Sequence, residues 1–264
     1  MNSPKHQEIT SRDNAFLKDL RRLSQDSTAY RKQGRFWVEG DHLCRAALVR
    51  GKKPAFGVFK ASFWPLAGEE YAQAAIKNIV IKDALFDEIS ALESPASMGF
   101  VFELPLALAL EPRLASVILD RVQDAGNVGS ILRSASAFGF RQIIALKGTA
   151  ALWSPKVLRA GMGAHWGLHL LEGVELADLA ALRVPIVVTS SHQGGFLDYA
   201  LDHGGLPSPC AWALGHEGQG VSLELEALAQ RRVRIAQPGG EESLNVAAAA
   251  AICLHASSVI TRSL

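Results

Sequence analysis

The sequence has few cysteines and none in a pair. Cys44, Cys210 and Cys253 lie far apart, with no Cys-x-x-Cys spacing. A sparse, odd set argues against a disulfide framework and against a cysteine-based zinc site. No Gly-x-Gly-x-x-Gly follows a strand-like run, so a standard Rossmann dinucleotide site has no support. No glycine loop ends in Gly-Lys-Ser/Thr, and neither His-Glu-x-x-His nor Gly-x-Ser-x-Gly occurs. The N-terminus lacks a basic stretch followed by an apolar run, so no secretory signal is expected. The longest stretch without charge, residues 243–261, is rich in alanine but holds Ser, Asn, His and Thr. It predicts a buried helix, not a membrane span. A soluble, cytoplasmic protein is the expectation.

What is present is enough for a packed core. Hydrophobic residues make up 48% and charged residues 20% of 264 residues, which fits one large domain or two modest ones. The formal net charge is +1, but it is unevenly spread. Residues 1–60 hold 13 Lys and Arg against 6 Asp and Glu, a net of +7; the rest of the chain carries −6. A basic end on a neutral chain suits a module that faces a polyanion; a solvated amphipathic face fits equally well.

Hydrophobic spacing predicts small alternating elements in residues 1–104. These are a helix over 14–23 capped by Ser11 or Asp13, a strand over 35–39 and a helix over 41–49. Strands around 58–59, 79–81 and 99–102 and a short helix over 84–91 follow. Residues 105–112, bracketed by Pro105 and Pro112, read as a linker. From 113 to 264 the alternation is more regular. Strands are predicted at 117–119, 142–146, 166–170, 186–189, 211–214 and 233–235, and helices at 128–138, 155–160, 176–182, 223–230 and 244–260. Strands separated by helices imply a parallel sheet covered on both faces, hence an α/β fold.

Three segments of the second half suit chemistry. Residues 120–139 carry Gly126 and Asn127 at a strand-to-helix turn, where backbone and helix start favour an anionic ligand. Arg133 follows within that helix among Ile131, Leu132 and Ala135, so it either serves a ligand or snorkels to solvent. Residues 213–222 place Gly215, His216, Glu217, Gly218 and Gly220 directly after a strand, as a ligand loop or a plain turn. Residues 235–247 lead through Ser243, Leu244 and Asn245 into five consecutive alanines. Ser243 is a candidate N-cap; the same role does not account for Asn245. The alanines imply close helix packing, internal or between subunits. His165 and His169 are four apart but have no third ligand, and no metal is suggested.

In this order the three segments resemble the signature motifs of the SpoU (TrmH-type) RNA ribose 2′-O-methyltransferases of the SPOUT class. The resemblance covers about residues 113–264, and residues 1–104 are similar to the family's L30e-like RNA substrate-binding domain. It implies a C-terminal SPOUT α/β domain with a deep trefoil knot, S-adenosyl-L-methionine as cofactor, and a homodimer. It implies catalytic roles for Asn127, Arg133, Glu217, Ser243 and Asn245, and cofactor contacts from the backbone at Gly215, Ile235 and Leu244. Arg133 would grip phosphate and ribose, with Asn127, Ser243 and Asn245 fixing it. Ala125 and Ala236-Gln237 stand where the family commonly has Pro and Pro-Met, so looser cofactor loops are expected. The resemblance implies ribosomal RNA as substrate, with transfer RNA second. A non-catalytic RNA-binding factor of the same fold is the competing class; the intact Asn127, Arg133 and Asn245 argue against it.

Overall fold

A computed structural model of the chain describes residues 5–106, 108–190, 194–239 and 243–262. The chain forms two compact units, residues 1–106 with 153–166, and residues 107–152 with 167–264.

The first unit runs β1 (His6–Ile9), α1 (Ala15–Gln25), α2 (Ala29–Gln33), β2 (Arg35–Glu39), α3 (Asp41–Val49), β3 (Phe56–Lys60), α4 (Gly68–Ala72), β4 (Lys77–Ile81), α5 (Asp83–Asp87) and β5 (Met98–Glu103). Its sheet has the order β1-β4-β3-β5-β2. The first two neighbour pairs are parallel and the last two antiparallel. β1 was not expected from the sequence, because its residues lack alternation and only Ile9 is buried. Asn14, not Ser11 or Asp13, caps α1: its Oδ1 accepts from Phe16 N at 2.9 Å and Leu17 N at 3.4 Å. Gly99 is required where it stands, since a Cβ there would meet the Trp37 ring at 2.2 Å.

Residues 153–166 lie inside the expected C-terminal span yet pack in the first unit. The cause is an aromatic cluster that distance along the chain conceals. Trp153 lies 4.5 Å from Phe36 and Trp166 lies 4.7 Å from Phe102, ring centre to ring centre. Trp166 is therefore drawn away from the expected strand over 166–170, and residues 164–167 form a 3-10 turn.

The second unit holds β6 (Ser116–Asp120), α6 (Ala125–Ala137) and β7 (Gln142–Leu146). After α7 (Pro155–Gly161), which belongs to the first unit, come β8 (His169–Val174), β9 (Ile186–Thr189), β10 (Gly195–Phe196), α8 (Leu197–Asp202), β11 (Ala211–Gly215), α9 (Leu223–Leu228), β12 (Arg231–Arg234) and α10 (Val246–Arg262). The sheet order is β10-β12-β9-β11-β6-β7-β8, and every neighbour pair is parallel. β6, β7 and β11 are buried along their whole length, as a sheet covered on both faces requires. The expected helix over 176–182 is a 3-10 helix.

α10 packs on α6 and β11. Ala250, Cys253, Leu254 and Ala256 are buried there, and the small residues permit the close approach. Trp212 of β11 is fully buried and donates through Nε1 to Ser257 Oγ at 2.8 Å. The carboxyl ends of β6, β9, β11 and β12, side by side in the sheet, carry the loops of the site.

Candidate active site

The helix α6 starts three residues earlier than its apolar spacing predicts. Asp124 caps it, accepting from Asn127 N at 2.8 Å. Asn127 is thereby held in the first turn. Its Nδ2 donates to Glu217 Oε1 at 3.1 Å, and Glu217 also accepts from Gln123 N at 3.2 Å and Asp124 N at 3.0 Å. One carboxylate of the second segment therefore pins the whole turn of the first. Burial pushes the Glu217 carboxyl up, but these donors outweigh it and hold it below its ordinary range. It is an ionised acceptor near neutral pH.

The third segment joins the same chain of bonds. Asn245 Nδ2 donates to Asn127 Oδ1 at 3.0 Å. Asn245, not Ser243, is the N-cap of α10: its Oδ1 accepts from Ala247 N at 2.8 Å and Ala248 N at 3.3 Å. α10 begins at Val246, two residues later than expected, because this cap sets its start. Three motifs distant in sequence thus meet in one directional series, Asn245 to Asn127 to Glu217.

The glycine loop after β11 doubles back on itself. His216 and Gly220 exchange backbone bonds of 3.0 and 2.8 Å. A Cβ on Gly215 would sit 2.0 Å from the Gly220 carbonyl carbon, so only glycine fits. His216 Nδ1 accepts from Gly218 N at 3.0 Å and Gln219 N at 3.3 Å, which leaves the proton of the neutral ring on Nε2. The far end is tied to β6. Asp120, buried at the strand end, accepts from Ser222 N at 2.6 Å and Arg121 Nε at 3.0 Å. Burial raises its carboxyl, and Arg121 and Ser222 together bring it below the ordinary value. Arg121, at a left-handed φ of 58°, also donates to Gln219 Oε1 at 3.0 Å. Sequence reasoning missed Asp120 and Arg121 as loop anchors; their only signal was their position at a strand end.

Beside this loop lies a cavity of about 360 Å³. Gly215, Glu217, Ile235, Ser243 and Leu244, all expected at the site, line it. Ile235, Leu244 and Val246 give an apolar wall that suits a flat heterocycle. Thr189, Ser190 and Gln237 give polar groups. Gln237 Oε1 is buried with no hydrogen-bond partner among the described residues, an acceptor available to an amino group. Thr189 was legible in principle, since ligands gather at the carboxyl ends of strands. Residues 240–242 of the third segment lie outside the described residues.

Arg133 stands apart. It is exposed on α6, and among the described residues its side chain makes no hydrogen bond or ion pair. Asn127 and Asn245 were expected to fix it; they bond to each other and to Glu217 instead. His165 is buried and His169 Nε2 lies 2.6 Å from Ala109 O; the residues that line the cavity include neither.

The sequence of residues 115–255 matches the SpoU rRNA Methylase family. The chain is 28% identical over 262 residues to the Bacillus subtilis 23S rRNA (guanosine(2553)-2′-O)-methyltransferase RlmP, covering 94% of this chain and 98% of that protein. Among solved structures it is similar to a protein of the TrmH family from Porphyromonas gingivalis, with 30% identity, a TM-score of 0.78, and coverage of 92% and 97%. An AdoMet-bound rRNA methyltransferase from Sinorhizobium meliloti matches with 26% identity, a TM-score of 0.82, and coverage of 96% and 98%. The motifs that meet around Asn127 lie within the matched span, and the chain belongs to the SpoU rRNA methylase family.

Proposed function

We infer that the protein is an S-adenosyl-L-methionine-dependent RNA ribose 2′-O-methyltransferase that acts on ribosomal RNA. The observation that carries this reading is the bonded series Asn245–Asn127–Glu217 beside the loop cavity, in a chain whose relative RlmP methylates rRNA. The cavity's residues fit the cofactor. Ile235, Leu244 and Val246 would flank the adenine, and Gln237 would accept from an amino group. Bound there, the cofactor supplies an electrophilic methyl group on a sulfonium.

The protein's part is to bind and orient the ribose. A 2′-hydroxyl is a poor nucleophile that must give up its proton to solvent as it attacks, and negative charge grows on its oxygen as the proton leaves. Arg133 would stabilise that oxygen with its guanidinium and hold the adjoining phosphate. Asn127, Asn245 and Glu217 fix the turn from which Arg133's helix starts. Ser243, in the cavity wall, is available to the ribose or cofactor.

The finer features of the family belong to the same proposal. The first unit would be an L30e-like RNA-binding domain, which the surplus of Lys and Arg in residues 1–60 and the mixed sheet support. The second would be a knotted SPOUT domain. Its support is the strand order, in which β11 inserts between β9 and β6. A homodimer would use the exposed stripe of α10 that includes Ile252 and Val259, at 41% and 45% exposure. Sedimentation of Ile252→Glu as a dimer would remove that stripe as the interface. A ribosomal RNA substrate supports a cytoplasmic setting.

The test is transfer of labelled methyl from cofactor to total RNA by the full chain, with 2′-O-methyl mapping of the product. Label in rRNA is the expected result. Label in tRNA would change the substrate, and cofactor binding without transfer would make the protein a non-catalytic RNA-binding factor.

His216 gives a second measurement. Asn at this position sets an acceptor where Nδ1 stands, whereas Gln sets a donor where Nε2 stands. His216→Asn should hold the loop and keep cofactor affinity by calorimetry. His216→Gln loses two backbone bonds and should weaken it about 30-fold, at about 1 kcal/mol net per bond. Equal affinities for the two variants would show that the ring does not clamp the loop.

A further inference from the structure

In the first unit most arginines are answered by carboxylates. Arg12 and Arg21 share Glu88, Arg35 pairs with Glu103, and Arg45 meets Asp41 and Glu70. Lys60 pairs with Asp87. One tip departs from this pattern. It consists of the turn from α3 into β3, with Arg50, Lys52 and Lys53, and the start of β4, with Lys77.

Backbone bonds bring these residues together. Lys52 N donates to Ala47 O at 3.0 Å, which folds the turn back on α3. Ile76 N donates to Pro54 O at 3.1 Å and Lys77 N to Ala55 O at 3.2 Å, which sets β4 beside the turn. All four cations are exposed, and among the described residues none of their side chains makes a hydrogen bond or ion pair. Composition explains why. Neither residues 42–68 nor residues 71–82 contain a single Asp or Glu. Two aliphatic side chains stand among the cations, Val49 at 81% and Ile76 at 73% exposure.

A solvated face has no need to segregate its signs, and elsewhere this unit intersperses them. Four like charges held close by backbone bonds repel one another, and a polyanion relieves that repulsion. Lysines act on phosphate as point charges, which suits a contact that positions RNA without reading its sequence. We propose that this tip, Val49 to Lys53 with Ile76 and Lys77, is a docking surface for the sugar-phosphate backbone of the substrate RNA. Val49 and Ile76 pack against a ribose or an unstacked base. The proposal rests on the RNA methyltransferase reading and names the surface that this reading leaves open.

The test uses the full chain carrying Lys52→Glu, Lys53→Glu and Lys77→Glu together. Anisotropy with a labelled RNA hairpin, over a series of salt concentrations, gives affinity and its salt dependence. Loss of three phosphate contacts should weaken binding at least about 10-fold and reduce the slope of log K against log salt by about 2–3. Cofactor affinity by calorimetry should stay at the wild-type value. A control with Lys18→Glu, Lys32→Glu and Lys82→Glu makes the same charge change elsewhere in the unit and should lose far less. RNA affinity within about twofold of wild type at an unchanged slope would overturn the tip. An equal loss in the control would also overturn it, because bulk charge would then be the cause. Intact RNA binding with lost binding to anionic phospholipid vesicles would assign the tip to a lipid surface. A wild-type chain that binds no RNA would overturn the function reading itself.

Discussion

Arg133→Ala should lower single-turnover methyl transfer roughly 10²–10⁴-fold at saturating cofactor and RNA, the scale of one group that stabilises developing charge. Cofactor affinity and thermal stability should stay near wild type. The argument starts from what Arg133 does not do. Its exposed side chain supports no other described group, so the fold loses little without it. It stands six residues beyond Asn127 on α6, a rise of about 9 Å. A helical side chain leans toward the helix start, so the guanidinium can sweep back over the turn that Glu217 pins. A guanidinium carries donors and no acceptor, so its work is electrostatic and steric, done mainly in the transition state. Arg133→Lys keeps the charge without the planar fork and should rescue little. A helix arginine that merely snorkels predicts the opposite pattern, a turnover within about threefold of wild type, far from the 10²-fold scale. That outcome would remove Arg133 from the catalytic group.

The regular half of the fold was legible because its strands are buried on both faces. Gln142–Leu146 and Ile186–Thr189 fall where their apolar runs predict. Edge and boundary features were not legible. β1 has one buried residue, too few to leave a pattern. Trp153 and Trp166 gave no sign that they pack with Phe36 and Phe102, since nothing local encodes a partner so far away in sequence. The motifs mark Asn127, Glu217 and Asn245, which the fold brings together, but their spacing says nothing of which one bonds to which. A helix start is set by whichever side chain reaches the free N–H groups. Asn245 outcompetes Ser243 for that role only once the chain is folded. Likewise the family resemblance implies a catalytic role for Glu217, whereas its oxygens are engaged by Gln123, Asp124 and Asn127. Those bonds support a positioning role.

Asn245→Asp should lower turnover about 10–100-fold, the cost of a misplaced catalytic geometry, while the melting temperature stays close to wild type. The reason is the direction of the bonded series. Glu217 is ionised and can only accept, so Asn127 must present its Nδ2 to it. The Asn127 Oδ1 then needs a donor, which Asn245 Nδ2 supplies, and Asn245 Oδ1 remains to cap α10. Asp caps a helix as well as Asn does, so α10 keeps its start. The new carboxylate, however, turns an acceptor toward the Asn127 carbonyl. Rotating the Asn127 amide would cure that contact only by turning its oxygen on Glu217. The conflict has no local remedy, and the turn that carries Arg133's helix must shift. Asn245→Ala removes cap and link together, so it should add a stability loss of about 1 kcal/mol, or about 2–4 °C for a domain of this size. Combining either substitution with Asn127→Ala should be far from additive in rate, because the two residues act as one element. An Asn245→Asp enzyme that turns over within about threefold of wild type, below even the 10-fold end of the expected range, would show that the series only braces α10.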